Sequence, residues 1–203
     1  SGNYITENVR AAVHASSVSA PAGAVRVLAV TQTQNGKATI TADAGGVSIA
    51  LNMTRNSSGG FDASLAIGVG VAINQIKGEI SARVDQASTL SARDDVEVAA
   101  SSTASIDALT FGIAVSLATP GGNGNGFDLA GAGAGSWNAI LGRTVQAIIE
   151  GGSSATSTAG NVLVTATDAS SIHADGAGFG VALRFGDRTG LSAAIGIGVG
   201  LAL

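Results

Sequence analysis

Residues 65–74 read Leu-Ala-Ile-Gly-Val-Gly-Val-Ala-Ile-Asn, with an aliphatic side chain at every second position and glycine or alanine between them. Related stretches are Leu-Ala-Gly-Ala-Gly-Ala-Gly-Ser-Trp-Asn at residues 129–138 and Ile-Gly-Ile-Gly-Val-Gly-Leu-Ala-Leu at residues 195–203. A period of two is the pattern of a β-strand, whose successive side chains point to opposite faces. Bare glycine along one face indicates that another backbone or layer approaches closely there.

A second series of positions sets the length of the repeat. The aliphatic pattern that begins at Ile40 recurs from Ile106 and again from Ile172, at a constant spacing of 66 residues. We therefore interpret residues 1–203 as a single continuous repeat array. The repeats cover about residues 9–79, about 80–144 and about 145–203, the last one truncated. Because both ends fall inside a repeat, we expect the natural protein to continue in both directions.

The composition limits both the core and the partners. Hydrophobic residues make up 45% of the 203 residues but aromatic ones only 3%, so the core must be built from valine, isoleucine, leucine and alanine. The net charge of −4 argues against a nucleic-acid partner, which requires clustered basic residues. The chain has no cysteine, which excludes disulfides and cysteine-ligated metals. Its most apolar stretch, Ala193–Leu203, is much shorter than the roughly 20 residues of a membrane-spanning helix.

These patterns predict an all-β fold, a parallel β-solenoid or β-helix. A repeat of this length would hold about three coils of roughly 22 residues, and neighbouring coils would hydrogen-bond in parallel ladders. Equivalent aliphatic residues, among them Ile106 and Val115, would stack in the interior. The alternative is a string of β-sandwich domains, one per repeat. It is less favoured because no aromatic core residue recurs in all three copies.

Several residues are candidates for a structural or a binding role. Asn3, Asn74 and Asn138 occur once per repeat, as expected for a hydrogen-bonded ladder along the stack. Ile40, Ile106 and Ile172 would form an aliphatic ladder in the same way. Phe127 and Trp137 follow the glycine-rich loop 121–126, and an aromatic side chain beside a polar loop is a platform for a sugar. They are the candidate ligand contacts.

No residue pattern predicts catalysis, a cofactor or a metal site. The two histidines, His14 and His173, occupy different positions in the repeat. The pair Asp94-Asp95 falls at a turn and lacks the spacing of a calcium loop. The glycine-rich loop lacks the Lys-Ser/Thr of a phosphate-binding loop. We therefore expect a protein that is not an enzyme.

The motif Asn74-Gln-Ile, the strand Ile80-Ser-Ala-Arg-Val84 and the run from Ser88 to Ala100 resemble the repeats of very large bacterial exoproteins. The family is that of the leukotoxin-type filamentous adhesins and their β-strand-repeat relatives, and the likeness extends over essentially the whole chain. The resemblance implies a secreted or cell-surface protein, a β-helical filament and a role in adhesion or as a stalk. It implies no catalytic residues.

Two functions follow as hypotheses. The first is a structural or adhesive stalk segment of a large surface adhesin, with host or surface glycans or matrix proteins as partners besides the neighbouring repeats. The second is a carbohydrate-binding or polysaccharide-processing β-helix, which would need carboxylates that converge on one groove. Self-association through strand edges exposed at the two ends is a further expectation.

Overall fold

A computed structural model of the chain describes residues 1–31, 39–53, 62–119, 126–185 and 192–203. Within these ranges the chain forms strands joined by turns. No helical segment there has the length and apolar character needed to cross a membrane. Most of the glycine-rich loop that precedes Phe127 lies outside the described residues.

The described strands repeat one order of elements along the chain. In sequence they are β1 (Gly2–His14), β2 (Ser17–Ala20), β3 (Val25–Val30), β4 (Ile40–Met53), β5 (Asp62–Asp85), β6 (Thr89–Ala92), β7 (Val96–Ser102), β8 (Ser105–Thr119), β9 (Gly126–Ile149), β10 (Ser154–Ser157), β11 (Val162–Asp168), β12 (Ser171–Arg184) and β13 (Ser192–Ala202). A long strand is followed by a very short one, a medium one and a strand of 14 or 15 residues.

Corresponding strands of successive repeats pair in parallel and form four sheets. Their orders are β1-β5-β9-β13, β10-β6-β2, β11-β7-β3 and β12-β8-β4. Ile40 stands beside Ile106, and Ile106 beside Ile172, in adjacent coils. The predicted all-β fold and parallel β-solenoid are confirmed. Separate β-sandwich domains are excluded for the described strands because the ladders run from one repeat into the next.

The number of coils per repeat differs from the prediction. We expected about three coils in each repeat, but strand pairing joins residues 66 apart in the sheet of β4, β8 and β12, so one repeat makes one coil. The reason is the strand lengths, since β5 alone has 24 residues and cannot fit into a coil of 22. Neighbouring strands lie about 4.8 Å apart, so each repeat lengthens the stack by only that distance.

Each coil has a wide part with an aliphatic core, which we call the coil body. It comprises the carboxy-terminal half of the long strand and the next two strands. Buried aliphatic side chains of the first two coils fill it: Val25, Val27, Ile80, Val84, Leu90, Val96 and Val98. In this part of the coil the aliphatic face of each strand points inward, as the sequence predicts.

The rest of each coil is a thin two-layer structure, which we call the blade. The amino-terminal halves of β5, β9 and β13 face β4, β8 and β12 through their small residues. A Cβ atom built on Gly68 would overlap the carbonyl oxygen of Ile113, and one built on Gly112 would overlap that of Gly133. The close backbone approach predicted from the glycines is confirmed. Ala66, Ala114, Ala130 and Ala132 pack together between the layers.

This packing turns the aliphatic side chains of the blade outward. Val69 is 59% exposed and Ile49 65% exposed. Val115, expected in the interior, is only half-buried and lies on the outer face, whereas Ile106 is fully buried. The expectation of an aliphatic interior is therefore wrong for the blade. Where glycines face the opposite strand, the two layers are too close together to hold a larger side chain between them.

Candidate functional site

The outer face of β5, β9 and β13 is a broad apolar surface, which we call the A face. Outward aliphatic side chains form one row along β5 and another along β13. The β5 row consists of Leu65, Ile67, Val69, Val71 and Ile73, and the β13 row runs through Ile195, Ile197, Val199 and Leu201. The outer face of β4, β8 and β12 is similarly apolar, with Val47 and Phe179 among its exposed side chains.

A groove runs between the two rows because the middle strand lacks side chains there. Gly131, Gly133 and Gly135 of β9 lie beside Ile67, Val69 and Val71 of β5 on one side and beside Ile197, Val199 and Leu201 of β13 on the other. A Cβ atom on Gly131 or Gly133 would have no neighbouring atom within 4 Å. A cavity of about 320 Å³ lies over Gly131 and Gly133, and its walls are Leu65, Ile67, Leu129, Ile197 and Val199.

The two aromatic residues singled out in the sequence lie in line with this groove. Phe127 and Trp137 share the outward face of β9 with the three glycines, and their exposed fractions are 36% and 43%. Trp137 is the next outward residue after Gly135, and Phe127 lies beyond Leu129 at the other end. The structure thus places the two candidate ligand contacts on one face, ten residues apart, with an apolar groove between them.

The backbone of the groove floor is fully engaged in the sheet. β9 pairs in continuous register with β5 from Gly126 to Ile140 and with β13 from Gly126 to Ser136. Its N–H and C=O groups are therefore bonded to the two flanking strands. A molecule in the groove would meet carbon atoms on the walls and a floor without free donors or acceptors.

Asn3, Asn74 and Asn138 form a side-chain hydrogen-bond ladder directly behind the Trp137 end of the groove. Asn3 Nδ2 donates to Asn74 Oδ1 over 2.8 Å, and Asn74 Nδ2 donates to Asn138 Oδ1 over 2.7 Å. Asn138 Nδ2 also donates to Ser136 Oγ. Asn74 is completely buried. The ladder joins three coils, and its buried amides point away from the A face.

The isoleucine ladder lies where the blade meets the coil body. Ile40 and Ile106 are buried and pack with Ile76 and with the alanines beside them. Ile172 continues the ladder on the outermost described coil and is half exposed. These residues hold the two parts of the coil together and do not reach the groove.

Sequence reasoning missed a buried charged cluster inside the blade. Asp128 is fully buried and accepts hydrogen bonds from Ser64 Oγ over 2.6 Å and from Arg184 Nη1 over 2.7 Å. Ser64 also bonds Ser116. Arg184 is only 7% exposed, and its Nε and Nη2 atoms have no partner among the described residues. Because Arg184 and Asp128 lie 56 residues apart, the repeat spacing gave no signal for the pair.

A second buried arginine lies at the bend of the long strands. Arg143 Nη2 donates to Glu7 Oε2 over 3.0 Å and to Thr31 Oγ1 over 3.3 Å. The register shifts at this point, between Ile76 and Gly78. Gly78 has a φ of +145°, and a Cβ atom on it would overlap the Glu7 carbonyl group, so only glycine fits there.

The polar groups do not converge on the groove. His14 bonds Asp85 over 2.7 Å on the surface of the coil body. Within the described ranges, no three residues of the histidine, aspartate and glutamate types come together as a metal site requires. Compared with protein-family models, curated proteins and solved structures, the chain gives no significant match. The groove is therefore the candidate site, and its chemistry is apolar.

Proposed function

We propose that this chain is a structural and adhesive segment of a large secreted or cell-surface bacterial adhesin, and that it is not catalytic. The observation that carries the proposal is the apolar outer surface of the blade. Monomeric proteins rarely leave contiguous apolar patches of this kind in water, and such patches usually mark interaction sites. Adhesion through the blade gives this surface a function.

The geometry of the coil favours adhesion over spacing. Each repeat of about 66 residues adds only about 4.8 Å to the stack. A spacer made of such coils would use several times more chain per unit length than one with three coils per repeat. What the long strands provide instead is width, because β4 and β5 extend the blade sideways from the coil body. A wide, repeated apolar surface suits multivalent contact.

Binding assays on the purified chain test this proposal. The chain would be passed over immobilised glycans, matrix proteins and an alkyl-coated surface, with release of oligosaccharide monitored on soluble polysaccharides. We expect retention on the alkyl surface or on a matrix protein, and no product. The matched variant carries Ile67→Thr, Val69→Thr and Val71→Thr, which keep the strand preference but remove the apolar row.

Each outcome has a clear meaning. Retention that the triple variant abolishes supports adhesion through the A face. Binding to glycans alone, unchanged in the variant, supports the carbohydrate-binding alternative and contradicts the proposal. Release of oligosaccharide would make the protein an enzyme, and the proposal would then be wrong.

A further inference from the structure

The groove on the A face is more specific than the apolar surface around it. Three consecutive outward positions of β9 are glycine, whereas the same positions of both flanking strands carry Ile67, Val69, Val71 and their β13 partners. The missing side chains leave a slot as wide as one row of aliphatic side chains. Since neighbouring strands are about 4.8 Å apart, the flanking strands stand about 9.6 Å from each other.

The polarity of the slot limits what can fill it. Its walls are aliphatic and its floor is backbone already bonded in the sheet. A peptide or a sugar would bring N–H or O–H groups that find no partner there, and burial without a partner is costly. The occupant must therefore be hydrocarbon along the length that it buries.

The length of the slot limits the occupant further. Leu129 and Trp137 stand at its two ends on the same strand. Three glycine positions at two-residue spacing give a clear length of about 15 Å. An extended hydrocarbon advances about 1.3 Å per carbon, given carbon–carbon bonds of about 1.5 Å, so a chain of about ten to twelve carbons fits. The cavity of about 320 Å³ accounts for the part of this length that lies over Gly131 and Gly133.

A second copy of this face fits less well. Its β5 row has side chains at five consecutive outward positions, Leu65 to Ile73, whereas the slot offers only three. The outer members of that row would meet Leu129 and Trp137 before the middle ones reached the glycines. A single flexible chain has no such end groups.

We propose that the groove over Gly131, Gly133 and Gly135 binds the alkyl chain of a single-chain amphiphile, such as a fatty acid of about ten to twelve carbons. The chain lies along β9 between the two aliphatic rows, and the polar head group stays in solvent beyond one end. This goes beyond the adhesive role and stands independently of it. A lone chain is favoured over a bilayer because the slot is only one row of side chains wide, so a single chain fills it.

The test uses Trp137, the only tryptophan of the chain, as a reporter at one end of the slot. Dodecanoate and a bromine-labelled dodecanoate would be titrated below the concentration at which they form micelles. Calorimetry gives the stoichiometry, and bromine quenches tryptophan fluorescence on contact. We expect saturable binding of one chain per protein with quenching of Trp137, and much weaker binding of hexanoate, which fills only half of the slot.

The decisive variant is Gly133→Val, which restores on β9 the valine that β5 and β13 carry at this position. It should fold normally, since no atom lies within 4 Å of the new Cβ. We expect its affinity for dodecanoate to fall at least about tenfold. The matched control is Ala177→Val, which creates the same isopropyl side chain on the opposite outer face of the blade and should leave binding unchanged.

Three results would overturn the inference. Equal binding by wild type and Gly133→Val would mean that dodecanoate adsorbs to the apolar surface at large. Quenching by vesicles of brominated phosphatidylcholine, but not by the free acid, would identify a bilayer as the partner. No binding, together with self-association that Gly133→Val abolishes in sedimentation, would identify a second copy.

Discussion

Gly112 of β8 and Gly133 of β9 meet across the blade, but the directions in which a side chain would extend from them lead to opposite environments. The position where Gly112 would carry its Cβ is filled by the backbone of Gly133, whereas the position where Gly133 would carry its own opens to the empty groove. Each glycine serves a different purpose although both lie in one contact. The first allows two sheets to touch, and the second leaves a slot on the surface.

Alanine substitution should separate these two purposes. Gly112→Ala places a methyl group against the Gly133 carbonyl and should lower the free energy of unfolding by about 3 kcal/mol, at the upper end of the cost of overpacking. Gly133→Ala should be neutral or raise it by up to about 1 kcal/mol, because alanine restricts the unfolded chain and meets no atom in the fold. Urea denaturation of both variants measures the difference. Similar losses in the two would contradict the assignment of faces.

Most of the fold could be predicted from periodicity, but not the choice of face. β3 and β5 both alternate aliphatic and other residues, yet Val25 and Val27 point inward while Ile67 and Val69 point outward. The alternation alone cannot decide between the faces. What decides is the distance to the opposite layer. β3 faces a wide coil body, whereas β5 lies so close to β8 that a Cβ atom on Gly68 or Gly70 would overlap the β8 backbone.

The coil length and the site could be predicted from the sequence only in part. The spacing of 66 residues was correct, but the division into three coils rested on several short strands in each repeat, and β5 alone has 24 residues. The loss of the aliphatic row at Gly131 to Gly135 was visible in the sequence. Its meaning as a groove required knowing that this row faces solvent and that β5 and β13 flank it. The Arg184–Asp128 pair depends on tertiary packing alone.

Ile106 and Val115 provide a direct test of the outward-facing blade. Both were expected in the interior, which predicts similar costs for their replacement by alanine. Because Ile106 is buried and Val115 lies on the outer face, Ile106→Ala should lower the free energy of unfolding by about 3 kcal/mol. Val115→Ala should lower it by less than about 1 kcal/mol. Thermal unfolding followed by circular dichroism compares the two variants. Equal losses of stability in the two variants would mean that Val115 lies in the interior.

The asparagine ladder should contribute to stability at its centre more than at its end. Asn74→Ala removes the donor to Asn138 Oδ1 and the acceptor for Asn3 Nδ2, and we expect a loss of about 2 kcal/mol because buried polar groups lose their partners. Asn3→Ala, at the partly exposed end, should cost less than about 1 kcal/mol. Denaturant titration of both variants checks the order, and a larger loss for Asn3→Ala would contradict it.

Arg184 and Asp128 form a buried ion pair, so the effects of replacing them on the free energy of unfolding should depend on each other more than those of a surface pair. Arg184→Met leaves the Asp128 carboxylate buried with Ser64 as its remaining donor, and such an uncompensated charge should cost about 3–5 kcal/mol. The double variant with Asp128→Asn removes both charges and should recover part of that loss. Arg26→Ala, which breaks the exposed pair with Glu97, is the control and should cost less than about 1 kcal/mol. Urea titrations at low and high salt measure all of these, because screening weakens the exposed pair and leaves the buried one nearly unchanged. If Arg184→Met lowered the free energy of unfolding no more than Arg26→Ala, the buried pair would have to be hydrated. The blade interior would then not be dry and closely packed. The aliphatic rows would lose the reason for which they face outward.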